Sequence, residues 1–182
     1  MAGAQFEFSI DDADLQDLED RLARPQELVP RLGEYLVRST KDRFSTQTGP
    51  DGTPWVPLKQ RYARRKKLNK DKILTLRGDL RRYIRYQPDG DAAVAVVGTN
   101  LPYGAIHQFG GTIEQPERQS TVRLRSVAGR VLFAGQRHKR AVEKSVTIPA
   151  HDVVIPARPY LGLSDQDGYN LAEIVREWLA GD

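Results

Sequence analysis

The chain has 182 residues, of which 39% are hydrophobic and 29% charged, and its formal net charge at pH 7 is +4. This is enough for a single domain with its own core, and the complete lack of cysteine excludes a disulfide framework, a thiol nucleophile and a thiolate metal site. The start of the chain does not resemble a signal peptide, and the longest apolar run, residues 92–97, is too short to cross a bilayer, so no membrane partner is expected.

The first 30 residues are acidic, with eight carboxylates against two arginines. Alternation of apolar and polar residues predicts a short strand at Phe6, Phe8 and Ile10. Helical spacing then predicts a helix whose apolar face carries Leu15, Leu18 and Leu22. A second helix is predicted over residues 28–44.

Residues 47–54 are dense in turn-forming residues and predict a surface loop. Trp55 follows this loop, and a large aromatic in such a place is expected to close the edge of the core rather than to bind a ligand.

The segment 59–85 is strongly basic, with twelve basic and two acidic residues. A short helix is predicted over residues 59–70. A further helix is predicted to begin with Asp79 as its cap, and Gly78 is expected to take an unusual backbone angle before it. Residues 84–87 and 92–98 are predicted to pair as a hairpin.

Residues 103–109 predict a helical turn that ends in a left-handed cap at Gly110. Strands are then predicted at 122–124, 131–133, 145–148 and 153–155. The polar, basic residues 134–142 between them predict a mobile hairpin tip, and segment 117–144 carries eight basic and two acidic residues. A final helix follows, with capping-box spacing at Ser164 and Asp167, and its apolar stripe is expected to pack on the sheet.

Catalytic motifs are absent from the sequence. The three histidines lie far apart and lack metal-ligand spacing, so no metal or other cofactor is expected. His107 with Gln108 is the one plausible acid–base candidate, but a histidine in this setting is more often a hydrogen-bonded structural residue.

The basic segments have three interpretations. In order of preference, the segments contact acidic faces of neighbouring subunits, form a solvated surface, or bind DNA phosphates. The candidate partner-binding residues are Arg64, Arg65, Lys66, Lys67, Arg137, Lys139, Arg140 and Arg158. Arg158 is expected to reach a partner or a buried acid.

Four segments, taken together, resemble the phage virion morphogenesis family, to which the Mu-like tail-completion proteins belong. They are Phe44 with Pro50-Asp51-Gly52-Thr53-Pro54-Trp55-Val56-Pro57-Leu58, residues 73–81, residues 98–111, and residues 155–164. Within them, the residues expected to have structural roles are Trp55, Gly78, Asp79, Tyr103, His107, Gln108, Phe109, Gly110 and Pro159.

The resemblance implies a non-enzymatic structural protein at the head-proximal end of the tail or in the neck, acting in tail completion and head–tail joining. It implies assembly in the host cytoplasm, a location in the virion, and a hexameric ring of the protein itself. The expected partners are the tail tube or tail terminator and the head-side neck proteins, with possible proximity to packaged DNA. The alternatives are a DNA-binding assembly factor that uses segment 59–85 and a hydrolase that uses His107.

The predicted fold is α+β. A small, mainly antiparallel sheet is packed by N-terminal and C-terminal helices within a single domain, residues 1–182. A projecting, partly mobile basic arm is expected at 112–150.

Overall fold

The structure is a computed structural model that describes residues 12–88 and 94–181. The strand predicted at Phe6, Phe8 and Ile10 lies outside these residues, as does most of the turn between residues 88 and 94. The described chain divides into two compact units, residues 110–156 and the remainder. The predicted arm, residues 112–150, lies within the second unit, and its projection and mobility stay predictions.

The first unit contains all of the described helices and one hairpin. In chain order its elements are α1 (Asp12–Leu22), α2 (Val29–Thr46), α3 (Gln60–Arg65), α4 (Asp79–Arg82), strands β1 (Arg85–Pro88) and β2 (Ala95–Gly98), α5 (Gly104–Phe109) and α6 (Asp165–Ala180). A single 3₁₀ turn, Pro25–Glu27, precedes α2. The predicted hairpin is confirmed, since β1 and β2 pair antiparallel from Arg85 opposite Gly98.

Helix α2 covers this hairpin, and α6 packs against α2 and α1. This corrects the expectation that α6 packs on a sheet. The predicted capping box is confirmed: Ser164 accepts from the Asp167 amide, and Asp167 accepts from the Ser164 amide. The left-handed Gly181, with φ of 95°, ends the helix.

The core of the first unit is aromatic and aliphatic. Phe44, Trp55, Leu80, Ile84 and Tyr160 are almost completely buried. The ring of Phe44 lies 5.3 Å from that of Trp55, edge to face, and 5.6 Å from that of Tyr160. Trp55 thus occupies the core, as predicted.

The second unit contains only strands among its regular elements. They are β3 (Gly111–Gln115), β4 (Arg118–Val127), β5 (Arg130–Phe133), β6 (Val142–Ile148) and β7 (His151–Ile155). Strand β3 pairs with β7, and β4 lies between β5 and β6, all antiparallel. Over the described residues the strands therefore form three small antiparallel sheets rather than the single predicted sheet, and the α+β class is confirmed.

Two of the predicted helices differ in detail. Helix α3 ends at Arg65 instead of residue 70. Gly78, with φ of 87°, occupies the N-cap of α4, and Asp79 is its first residue instead of its cap. None of the helices in the described ranges combines the length and apolar character needed to span a membrane.

Candidate functional site

The four motif segments meet in the core of the first unit. They supply Phe44 and Trp55, Leu80, the partly buried Leu101, and Tyr160. Burial of a large apolar side chain contributes about 1.5–3 kcal/mol, so these residues account for much of the stability of this unit. Their common role is structural.

Residues 157–163 have no regular secondary structure. Side chains, instead of a neighbouring strand, form hydrogen bonds with their backbone groups. We call this stretch the clamped segment. Gln108 makes three of its bonds: Oε1 accepts from the amides of Tyr160 and Leu161 at 2.9 and 3.0 Å, and Nε2 donates to the Leu161 carbonyl at 3.0 Å. The side-chain amide of Gln108 therefore makes the hydrogen bonds that the backbone of a neighbouring strand would otherwise make.

Two further side chains hold the carbonyls of the clamped segment. Trp55 Nε1 donates to Pro159 O at 2.7 Å. Arg43 Nη1 donates to the carbonyls of Tyr160 and Gly162 at 2.9 and 2.8 Å. The backbone of this irregular segment is thus well satisfied without a neighbouring strand, as buried backbone requires.

Arg158 lies within the clamped segment and is only 6% exposed. Its Nε donates to Val56 O at 2.7 Å and its Nη2 to Pro57 O at 3.3 Å. The expectation that Arg158 reaches a buried acid is therefore wrong: its described side-chain contacts are backbone carbonyls, which fix the loop after Trp55. Burial lowers the pKa of the guanidinium.

Arg43 also forms a buried ion pair with Asp167. Arg43 Nη2 lies 2.5 Å from Asp167 Oδ2, and the two side chains are 7% and 3% exposed. Tyr35 and Ser39 donate to the other oxygen of Asp167. Burial raises the pKa of Asp167, but hydrogen bonds from Ser39, Ser164 and Tyr35 outweigh it and lower that pKa to about 2.

Sequence reasoning missed the role of Arg43. A signal was nevertheless present, because Arg43 stands seven residues after Leu36 and one before Phe44, on the apolar side of the predicted helix. A charge in that position indicates a buried partner. Asp167 was found, but only as a helix cap.

His107 lies on α5 beside Tyr103, with the ring centroids 6.0 Å apart. Its backbone carbonyl accepts from the Arg158 amide at 2.8 Å. Burial and then the charge of Arg158 lower the pKa of the imidazole, which keeps it neutral at pH 7. Its buried Nδ1 has no hydrogen-bond partner among the described residues.

The other predicted motif residues lie around α5. Gly110 follows the helix with φ of 72° and so provides the predicted left-handed cap. Phe109 is 78% exposed, which leaves its ring available for a contact outside the chain. No cluster of potential metal ligands occurs within residues 12–88 and 94–181.

The basic candidates fall into two groups. Arg64, Arg65, Lys67, Arg137, Lys139 and Arg140 are exposed. Lys66, in contrast, is 5% exposed, and its ammonium donates to the carbonyls of Asn69 and Lys72. The prediction that Lys66 binds a partner is thereby corrected, because its charge holds the turn after α3; burial lowers its pKa.

A groove of about 490 Å³ lies between α2 and β1. Its charged lining residues come from both elements and from α4, and they carry both signs: Glu34, Arg38, Lys41, Asp42, Arg81 and Arg85. Val37, Ile84 and Tyr86 complete the lining of the groove.

The motif residues thus form a structural scaffold, and most of the basic candidate residues lie exposed outside it. A model of the phage virion morphogenesis family matches residues 10–180. A protein of Escherichia phage Mu, named capsid assembly protein G, is 32% identical over 128 residues, which cover 65% of this chain and 78% of that protein. No solved structure matches the chain significantly.

The chain therefore belongs to the phage virion morphogenesis family. Its role is structural or in assembly, in the formation of the phage particle.

Proposed function

We propose that this protein completes the tail at its head-proximal end and joins the tail to the head. In this role it is a non-enzymatic component of the neck, assembled in the host cytoplasm and retained in the virion. The observation that carries the proposal is the family match over residues 10–180, supported by the Mu relative named for capsid assembly.

The arrangement of the motif residues supports a role without catalysis. His107 is the candidate acid–base residue, yet its carbonyl and its neighbour Gln108 hold the clamped segment. A variant His107→Ala is expected to change folding stability and leave no separable chemical step impaired.

The protein is proposed to form a closed ring, with six subunits as the first expectation. The sequence of each subunit has an acidic start and two basic segments, 59–85 and 117–144, and such opposite charges suit head-to-tail contacts. The tail tube or tail terminator on one side and a head-side neck protein on the other are the proposed partners.

Electron microscopy of lysates from a phage that lacks this gene tests the proposal. Separate filled heads and complete-length tails are expected, and a plasmid copy of the gene should restore joined particles. Normal infectious particles without the protein would refute the joining role.

A DNA-binding assembly factor is the second candidate, favoured by the exposed bases Arg64, Arg65 and Lys67 within segment 59–85. Tight binding that weakens steeply with salt is expected if these residues contact phosphates. Replacement of all three residues by Gln should then abolish the mobility shift of DNA. Lys66→Gln is left out of this variant because the ammonium of Lys66 holds a turn of the fold. Equal binding by the triple variant would exclude this candidate.

A further inference from the structure

The three-stranded sheet of the second unit has one apolar face. Leu124 pairs with both Phe133 and Val142, so the three side chains lie in one row across the sheet. Alternation along the strands adds Val122, Val131 and Val146 to the same face. The opposite face is mainly polar: Gln119 bonds to Thr147, Arg123 pairs with Glu143, and Val127 and Leu132 are its apolar residues.

Within the second unit, residues 110–156, nothing covers this apolar face. Phe133 is 79% exposed, Val142 70% and Val131 67%. An exposed apolar row that crosses all strands of a sheet is typical of a surface that is buried on association. The charged residues of the strands on this face are Arg118 and Lys144, both basic, whereas Arg123, Arg125 and Arg130 lie on the opposite face.

Helix α1 presents the complementary surface. Leu15, Leu18 and Leu22 lie on one side of it and are 48%, 37% and 58% exposed. Its sequence has five acidic residues and one basic residue. The basic one, Arg21, donates to the carbonyl of Leu179 at 2.9 Å at the end of α6, which anchors the helix and leaves the leucines exposed.

We infer that α1 of one subunit packs with its leucines on the apolar face of the three-stranded sheet of a neighbouring subunit. An eleven-residue helix is about 16 Å long, and three strands are about 14 Å wide, so the two surfaces match in size. The acidic helix also meets a face whose charged residues, Arg118 and Lys144, are basic, whereas two such faces packed on each other would bring like charges together. This inference rests on the proposed self-association, and it names the residues through which the subunits would contact each other.

The natural chain has no cysteine, which makes paired cysteine variants a direct test. Two proteins of different mass, one with Leu18→Cys and one with Phe133→Cys, are mixed under conditions of assembly and oxidised mildly. A mixed disulfide-linked dimer is expected. The control pair replaces Phe133→Cys with Thr121→Cys, an exposed position on the opposite face of β4, and about tenfold less mixed dimer is expected.

Two results would overturn the contact: equal yields from the two pairs, or a dominant link between two Phe133→Cys subunits. In a second measurement, Leu18→Asp and Phe133→Asp are each expected to weaken self-association about tenfold or more, with thermal unfolding unchanged. Unchanged association in both variants also contradicts it.

The proposed contact and the proposed function can be refuted independently of each other. If the two cysteine variants restore joined particles to the gene-deficient phage and yet give no mixed dimer, the contact is wrong and the joining role stands. If particles are infectious without the protein, the joining role is wrong whatever the cross-link shows.

Discussion

Arg43 of α2 and Asp167 of α6 are 124 residues apart in sequence, and their charged groups lie 2.5 Å apart in the interior of the first unit. Through the same guanidinium, the pair also contacts the clamped segment at Tyr160 and Gly162. It therefore connects two helices and an irregular stretch of chain at one point.

Removal of the charge of Asp167 should be strongly destabilising. Asp167→Asn leaves the buried guanidinium of Arg43 uncompensated, for which a loss of about 3 kcal/mol in the free energy of unfolding is expected. Urea denaturation measures it. Asp165→Asn, an exposed position in the same first turn of α6, is the control and should cost less than about 1 kcal/mol. Similar losses in the two variants would show that the pair is not a principal contact.

The same carboxylate predicts a dependence of stability on pH. Its pKa is lowered from 3.8 to about 2 in the folded chain, so the unfolded chain binds the proton first as the pH falls. The contribution of Asp167 is complete above about pH 5, declines as the pH falls through about 2 and is lost near pH 1, an effect of about 2 kcal/mol. Denaturation of the wild type and of Asp167→Asn at several pH values in this range should show a shallower slope for the variant. Parallel slopes would contradict the lowered pKa.

Gln108 should be essential for the order of the clamped segment. Gln108→Leu leaves two amides and one carbonyl of Tyr160 and Leu161 without their partner, at an expected cost of about 3 kcal/mol. Hydrogen exchange should become faster at these two amides in particular. Gln166→Leu, at an exposed position of α6 where the side-chain amide donates to Asn170, should change stability by less than about 0.5 kcal/mol. Unchanged exchange at Tyr160 and Leu161 would rule out the clamp.

Two glycines in helices should respond to alanine with opposite signs. A Cβ at Gly33 of α2 would lie 2.5 Å from Tyr86 Cγ, so Gly33→Ala is expected to destabilise by about 1–3 kcal/mol. A Cβ at Gly168 of α6 meets nothing within 4 Å, and Gly168→Ala should stabilise by about 0.5–1 kcal/mol through helix propensity.

Thermal unfolding measures both changes. Tyr86→Ala should remove the penalty of Gly33→Ala in the double variant, because the clash is with that ring. A penalty of the same size without the ring would assign it to the helix backbone instead.

The local features of the fold could be predicted from the sequence. The helix over 28–44, the capping box at Ser164 and the hairpin around residue 88 depend on spacing and on turn residues that lie close together. Strand β3 was missed because Glu114 and Gln115 interrupt the apolar pattern, and pairing with β7 is what makes it a strand.

Long-range contacts could not be predicted in this way. Lys66 and Arg158 were expected on the surface or at an acid because both are charged, but each donates to backbone carbonyls that the fold brings to it. Arg43 finds its partners more than a hundred residues away. Local patterns contain no information on such pairs, so a charge-based list of contact residues includes structural ones.

The antiparallel ribbon of the second unit is interrupted on both strands at the same level. Pro116 and Glu117 separate β3 from β4, and Pro149 and Ala150 separate β6 from β7. Gln115 pairs with His151, and Arg118 pairs with Ile148. Because two residues are unpaired on each strand between these pairs, the register is the same on both sides of the break. One residue added to only one of these breaks would shift every later pairing and turn the apolar row of that strand to the polar side. Matched changes of length at 116–117 and 149–150 keep the two sheets in phase, whereas an unmatched residue keeps them so only when it forms a bulge within the break.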